Sequence, residues 1–283
     1  MKVILIRILE KLGILRFFNF NLRININHRY CIIPLRGRIG LENVLLREHW
    51  FTNFLDEILN DKGEGANNYF VDIGVNVGQT LLKVKSLCPE LNYIGFEPNS
   101  TCVSYVLDLV KANSFSNVII YPLGLSERDG MLKLFADNAH ASGASVIENF
   151  RKKTRVEYVM NIPVAKGDNL FNDFEGVIKL IKIDVEGFEA DVLTGLKSTL
   201  DKFKPIVICE VLPVYSNDNK SRMERQNKLE ELLRIHEYDI YRINEDSAKI
   251  SPIPEIGIHG DMTRTNYIFC HRSKKALLSA LIE

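Results

Sequence analysis

The 283 residues carry 36 basic and 36 acidic side chains, a formal net charge of zero, with 46% hydrophobic and 25% charged residues. That balance excludes wholesale disorder and a polytopic membrane protein, and without a net positive charge nothing points to DNA or RNA as a partner. Five scattered cysteines, odd in number and lacking a CxxC pair, make neither a disulfide framework nor a zinc site and indicate a reducing, cytoplasmic setting.

The chain opens with MKVILIRILEKLGILRFFNF. Arg7, Glu10, Lys11 and Arg16 interrupt it, so no uncharged run approaches the roughly 20 residues that span a bilayer. It also lacks the clean apolar stretch and small-residue cleavage site of a signal peptide. Ile4, Ile8, Leu12 and Leu15 repeat at helical spacing opposite a mostly basic face of Lys2, Arg7, Lys11 and Arg16. Two uses fit such a helix: packing on the rest of the chain or on a second subunit of a homo-oligomer, or peripheral contact with an anionic membrane at its inner face. Residues 1–60 otherwise read as a helical or irregular extension, with WFTNFLDEIL an amphipathic helix that leads into the first strand.

Residues 61–283 read as one α/β domain. Short Val- and Ile-rich runs alternate with helical patterns, the sign of βαβ units and a parallel sheet. Strands are expected near Tyr69 to Ile73, Tyr93 to Glu97, Val118 to Tyr121, Ile178 to Asp184 and Ile206 to Val211. Runs at Tyr238 to Ile243 and Asn266 to His271, separated by a loop with Pro252, Pro254, Gly257 and Gly260, look like a closing antiparallel pair. The expectation is a doubly wound, mostly parallel seven-stranded sheet with a terminal antiparallel strand pair. An insertion at about 131–165 contains MLKLFAD and RVEYVMNIPVA, both with strand character, around a polar segment with the features of a lid.

The most informative stretch is NYFVDIGVNVGQTLLKV, in which an apolar strand ends at Asp72 and Gly74, Asn76 and Gly78 precede a helix. Glycines at such a turn permit positive φ and let backbone amides approach a ligand at the carboxyl edge of a parallel sheet. The pattern departs from GxGxxG, since Asn76 stands at the second glycine position, which disfavours a pyrophosphate cradle. A cofactor with an amino acid end and a sulfonium suits an acidic neighbour such as Asp72. LNYIGFEP ends in Glu97, 25 positions after Asp72, close to the spacing at which a carboxylate meets a ribose diol.

VDIGVNVG, IGFEPN and LIKIDVEGFEADVLTGL, followed by PIVICEV, closely resemble the FkbM family of methyltransferases over roughly residues 68–212. KIDVEGFE with its downstream VLTGL is the specific part; Val75 stands where the family usually has Ala. The resemblance implies a class I methyltransferase fold (Rossmann-like), S-adenosyl-L-methionine as cofactor, and methyl transfer to oxygen, commonly a hydroxyl of a sugar or polyketide. By the same resemblance Asp72, Gly74, Asn76, Gly78 and Glu97 map onto cofactor-contacting positions, and Asp184 lies beside the methionine portion.

An alcohol that accepts a methyl group loses its proton, so a carboxylate or imidazole within reach is expected. Asp184, Glu186 and Glu189 follow one apolar strand and Glu210 ends the next, so these carboxylates can converge on one crevice; Asp184, Glu186 and Glu210 are the catalytic candidates. Capping, or pairing with Lys182 or a backbone amide, is their alternative reading. Paired carboxylates are also compatible with a divalent metal, which the sequence leaves open. His140 and His259 sit in loops that could cover the crevice, and Tyr215, Asn217, Asp218 and Asn219 have the character of a sugar site.

By the resemblance to the family, a small molecule or glycan is the expected acceptor, with lipid, polyketide or peptide as alternatives and a non-catalytic, cofactor-binding interaction module as the non-enzyme reading. A nicotinamide oxidoreductase is weakened by the missing GxGxxG, and a DNA amino-methyltransferase by DVEG where a Pro-Pro-Tyr loop belongs.

Overall fold

The computed structural model describes residues 2–45, 48–59, 67–136, 144–147 and 158–283. Helix α1 (Lys2–Lys11) leads to strands β1 (Asn19–Ile26) and β2 (Arg29–Arg36), an antiparallel hairpin. Residues 1–60 were expected to be helical or irregular, yet Phe20, Leu22, Ile24 and Ile26 alternate with Asn19, Asn21, Arg23 and Asn25, the period of a strand with one buried face. Asn27 and His28 both take positive φ, 49° and 64°, as a two-residue hairpin turn requires. No Asn-Gly or Asp-Gly pair advertised that turn. Short helix α2 (Leu41–Leu45) and α3 (His49–Leu59) follow.

The main unit begins with β3 (Asn68–Ile73), α4 (Gln79–Leu87), β4 (Asn92–Phe96), α5 (Ser100–Asn113) and β5 (Val118–Tyr121). A small second sheet comes next, from β6 (Gly124–Ser126), β7 (Gly130–Ala136) and β8 (Tyr158–Lys166), in the order β6-β8-β7. The chain returns through α6 (Gly167–Phe171), β9 (Val177–Ile183), α7 (Glu189–Gly195), α8 (Lys197–Phe203), β10 (Ile206–Glu210) and α9 (Lys220–Ile235). It closes with β11 (Tyr238–Asn244), β12 (Lys249–Ile253) and β13 (Asn266–His271).

The large sheet runs β12-β11-β13-β10-β9-β3-β4-β5. Strands β5, β4, β3, β9 and β10 are parallel, and β13 enters antiparallel between β10 and β11. This is a class I methyltransferase arrangement, doubly wound and Rossmann-like. It has eight strands rather than the seven expected. The extra one, β12, pairs antiparallel with β11 at the edge; Pro252 within it hid the strand in the sequence, and an edge is where a sheet tolerates proline.

Two apolar layers cover the sheet. On one face α3, α4, α5 and the N-terminal hairpin share a core with Phe70, Tyr93 and Leu180; on the other α6, α7, α8 and α9 pack on Val71, Ile73, Ile181 and Val207. Neighbouring residues of β3 thus enter opposite layers, as the two-residue period of a strand dictates. The chain winds from β3 to β4 and β5 in one direction and to β9 and β10 in the other. The crevice of a doubly wound sheet therefore opens at the carboxyl ends of β3 and β9.

Candidate active site

Gly74, at φ 92°, turns the chain out of β3; a Cβ there would lie 2.0 Å from the Asp184 carbonyl oxygen at the end of β9. The amide of Asp184 donates to the Ile73 carbonyl at 2.9 Å, and the amides of Gly74 and Val75 donate to the Phe96 carbonyl. The turn is thereby stitched to both neighbouring strand ends. Asn76 takes φ 51°, a left-handed conformation that Asn tolerates, and Gly78 follows at φ 84° as the cap of α4. Asn76 thus does conformationally what the glycine of the usual fingerprint does.

Glu97, just past β4, receives the Asn76 amide on one carboxylate oxygen and the Asn99 amide on the other, each at 2.8 Å. Asn99 caps α5 by accepting from the Thr101 amide at 3.0 Å. Burial pushes the Glu97 carboxyl up to about 7, against the two amides that favour its charge.

These residues border an open cleft at the carboxyl ends of β3, β4 and β9. Gly74, Asn76, Glu97, Asn99, Asp184 and Glu186 supply its polar lining. Phe96, Leu125, Phe188 and, from the small sheet, Leu134, Ile162 and Val164 supply apolar walls. The insertion therefore builds one wall of the cleft. Ser145 ties it down, donating to the Glu186 carbonyl at 2.7 Å while pairing with Phe135. Nothing in the sequence around Ser145 signals that role, because it depends on where β7 lands.

Asp72, expected beside the cofactor, does not line the cleft. Its side chain enters the layer opposite Val71 and Ile73, the one that holds Phe70 and Tyr93, where it is fully buried and accepts a hydrogen bond from the Tyr93 hydroxyl. Burial pushes its carboxyl up to about 6 although Lys182 opposes the shift. Asp72 is the register partner of Lys182 on β9, and the Lys182 ammonium lies 2.9 Å from the Asp184 carboxylate. Near them, buried Lys83 of α4 pairs with Glu48 at 2.8 Å. Gly78, also assigned to the cofactor, is not a lining residue either: a Cβ there would press on Leu109 of α5 at 2.9 Å, so its place is helix packing.

The catalytic candidates divide. Asp184 and Glu186 line the cleft, Glu186 on a turn with φ 50° before Gly187 at φ 97°. Glu189 turns back to accept the Gly187 amide at 2.7 Å, a capping role, and burial pushes it up to about 7. Glu210 ends β10 outside the lining; burial, then the negative charges of Asp184 and Glu186, pushes its carboxyl up to about 8. Those three carboxylates form one electrostatic cluster. Among the described residues no group of three His, Cys, Asp or Glu side chains could hold a metal ion.

His259 hydrogen-bonds through Nε2 to the Tyr267 hydroxyl at 3.1 Å and does not line the cleft; His140 lies outside the described residues. Tyr215, Asn217, Asp218 and Asn219 are also absent from the lining, with Asp218 engaged by Ser216 in a local turn before α9.

The methyltransferase FkbM domain profile matches residues 72–240. "Methyltransferase 1" of Beauveria bassiana (strain ARSEF 2860) is 28% identical over 160 residues, half of this chain, and the match spans 64% of that relative's length. Among solved structures, methyltransferase FkbM from Methylobacillus flagellatus KT aligns over 76% of this chain and 48% of its own, at 14% identity and a TM-score of 0.46. Aeropyrum pernix fibrillarin, in complex with natively bound S-adenosyl-L-methionine, aligns over 88% and 82% at 10% identity and a TM-score of 0.43. With more than half of its length inside the domain, the chain belongs to the FkbM family of S-adenosylmethionine-dependent methyltransferases.

Proposed function

We propose that this protein transfers a methyl group from S-adenosylmethionine to a hydroxyl, on a sugar or surface glycan. The observation that carries the cofactor half is Glu97, whose carboxylate faces the cleft with one lone pair of each oxygen already fixed by a backbone amide. The remaining lone pairs are free to accept from a ribose diol. Phe96, Leu125 and Leu134 offer apolar walls for an adenine ring, and Asp184 and Glu186 favour a positively charged sulfur. Bound S-adenosylmethionine supplies an electrophilic methyl group, and the residues of this chain supply position and a proton acceptor.

Of the three carboxylates, Asp184 and Glu186 line the cleft and so stand within reach of an acceptor bound there, and Glu186 suits the base. Asp184 has one oxygen held by the Lys182 ammonium, which fits it for orientation. The carboxylate cluster favours an acceptor rich in hydroxyls over an apolar one. The Cys31, Cys102, Cys209 and Cys270 thiols are buried, in keeping with a cytoplasmic setting.

Calorimetric titration with S-adenosylmethionine and its demethylated product, on wild type and Glu97→Ala, tests the cofactor half. Saturable binding lost in the variant supports it; no binding by folded wild type overturns it. Incubation with glycans, lipids, polyketides and peptides, read by mass for the gain of one methyl group, then decides the acceptor. Tight cofactor binding with no turnover on any of them would make the protein an interaction module.

A further inference from the structure

We propose that α1 and the turn after it form a docking surface for an anionic lipid bilayer. The zero net charge of the chain hides an asymmetry. Residues 1–38 contain eight basic side chains and one acidic, a net +7, while the remainder carries 28 basic and 35 acidic. The one acidic residue, Glu10, is paired with Arg38 at 3.1 Å. Arg7, Lys11 and Arg16 are exposed.

The same segment presents an apolar stripe to solvent. Ile4, Ile8, Leu12 and Phe17 are 63%, 48%, 64% and 72% exposed, although isolated exposed apolar residues are the norm and a contiguous row is not. Ile4 and Ile8 share one side of the helix, with Leu12 a further four positions on, and Arg7 and Lys11 flank them. Arg16 stacks over the Phe17 ring at 4.7 Å, an amphipathic pair suited to the headgroup level. The helix is held rather than trailing: Ile6 and Leu15 are buried, and the Gly37 amide donates to the Phe18 carbonyl. An apolar stripe edged by cations fits an anionic bilayer, which offers a receptive apolar layer beneath negative headgroups. A second copy of the same surface would set exposed Arg7, Lys11 and Arg16 against the same three cations. No helix among the described residues is long and apolar enough to cross a membrane, so the contact is peripheral.

This surface is independent of the reading of the cleft, and its test uses neither cofactor nor acceptor. Full-length protein is sedimented with phosphatidylcholine vesicles containing phosphatidylglycerol and with phosphatidylcholine alone. The expected result is binding to the anionic vesicles only, weakening as salt rises. Arg7→Gln/Lys11→Gln/Arg16→Gln should weaken it on the order of a hundredfold, about fivefold per charge, and Leu12→Ser/Phe17→Ser should abolish it. Circular dichroism and thermal unfolding of both variants should match wild type, since every substituted side chain is exposed. Equal binding to both vesicle types, binding to neither, or a lipid-free dimer that Leu12→Ser/Phe17→Ser dissociates would each overturn the proposal, the last by giving the stripe to a second copy.

Discussion

The Lys182 ammonium stands 2.9 Å from the Asp184 carboxylate, and on its other side Asp72 is its register partner on β3. Residues two apart on an extended strand point the same way, so Lys182 and Asp184 meet without any loop rearrangement. Burial works against the charge of Lys182, but Asp184, Asp72 and Glu48 outweigh it and hold its pKa above the ordinary lysine value. A cation thus sits beneath the crevice with an anion on either side.

Lys182→Met should cost about 3–5 kcal/mol of stability, because it leaves a buried carboxylate without its counter-charge. Urea denaturation measures this. Adding Asp72→Asn should recover part of the loss, since the two residues share one network; strictly additive effects would count against that coupling.

Stability should fall as pH rises from about 5 to 8. Burial raises the folded carboxyls of Asp72 to about 6, Glu97 and Glu189 to about 7, and Glu210 to about 8, from ordinary values of 3.8 and 4.5. Across that window the folded protein holds protons that the unfolded chain releases, so the slope of unfolding free energy against pH is negative. Denaturation midpoints through the range give the slope, and Glu210→Gln should flatten it at the alkaline end.

Gly74→Ala should destabilise the protein by about 2–3 kcal/mol and abolish cofactor binding, since the new methyl meets the Asp184 carbonyl oxygen at a positive φ. Gly257, at φ 75° with nothing within 4 Å of a built Cβ, is the contrast. Its change to Ala should cost about 1–2 kcal/mol from backbone conformation alone. Thermal unfolding and cofactor titration of the pair separate crowding from conformation.

Glu97→Ala should weaken S-adenosylmethionine binding by about two to four orders of magnitude, taking two lost hydrogen bonds to a charged group at ~1.5–3 kcal/mol each. In wild type the affinity should fall as pH drops through about 7, where Glu97 takes up a proton; titration across pH shows this directly.

Glu186→Gln should lower turnover by about 10²–10⁴, the contribution of a positioned general base, since Glu186 lines the cleft. Calorimetry with S-adenosylmethionine on the same variant separates that loss from any loss of cofactor affinity.

The sequence by itself determined the parallel sheet and its crevice. Runs such as IKLIKI and PIVICE are legible because both faces of a central strand are buried, and the glycine turn because backbone conformation, not contact, demands it. Residues 19–26 alternate as clearly, but a hairpin turn without glycine and an edge strand containing Pro252 lack the local signals that mark a turn or a strand. Only the tertiary structure decided which way each acidic residue faces. Asp72 stands one residue from Ile73, which lines the cleft, and strand alternation sends its carboxylate into the opposite layer. Glu189 reads like Glu186 in KIDVEGFE, but the turn at Gly187 folds it back onto its own amides. Ser145 meets Glu186 across 41 positions, a contact set by sheet packing, which no local pattern encodes.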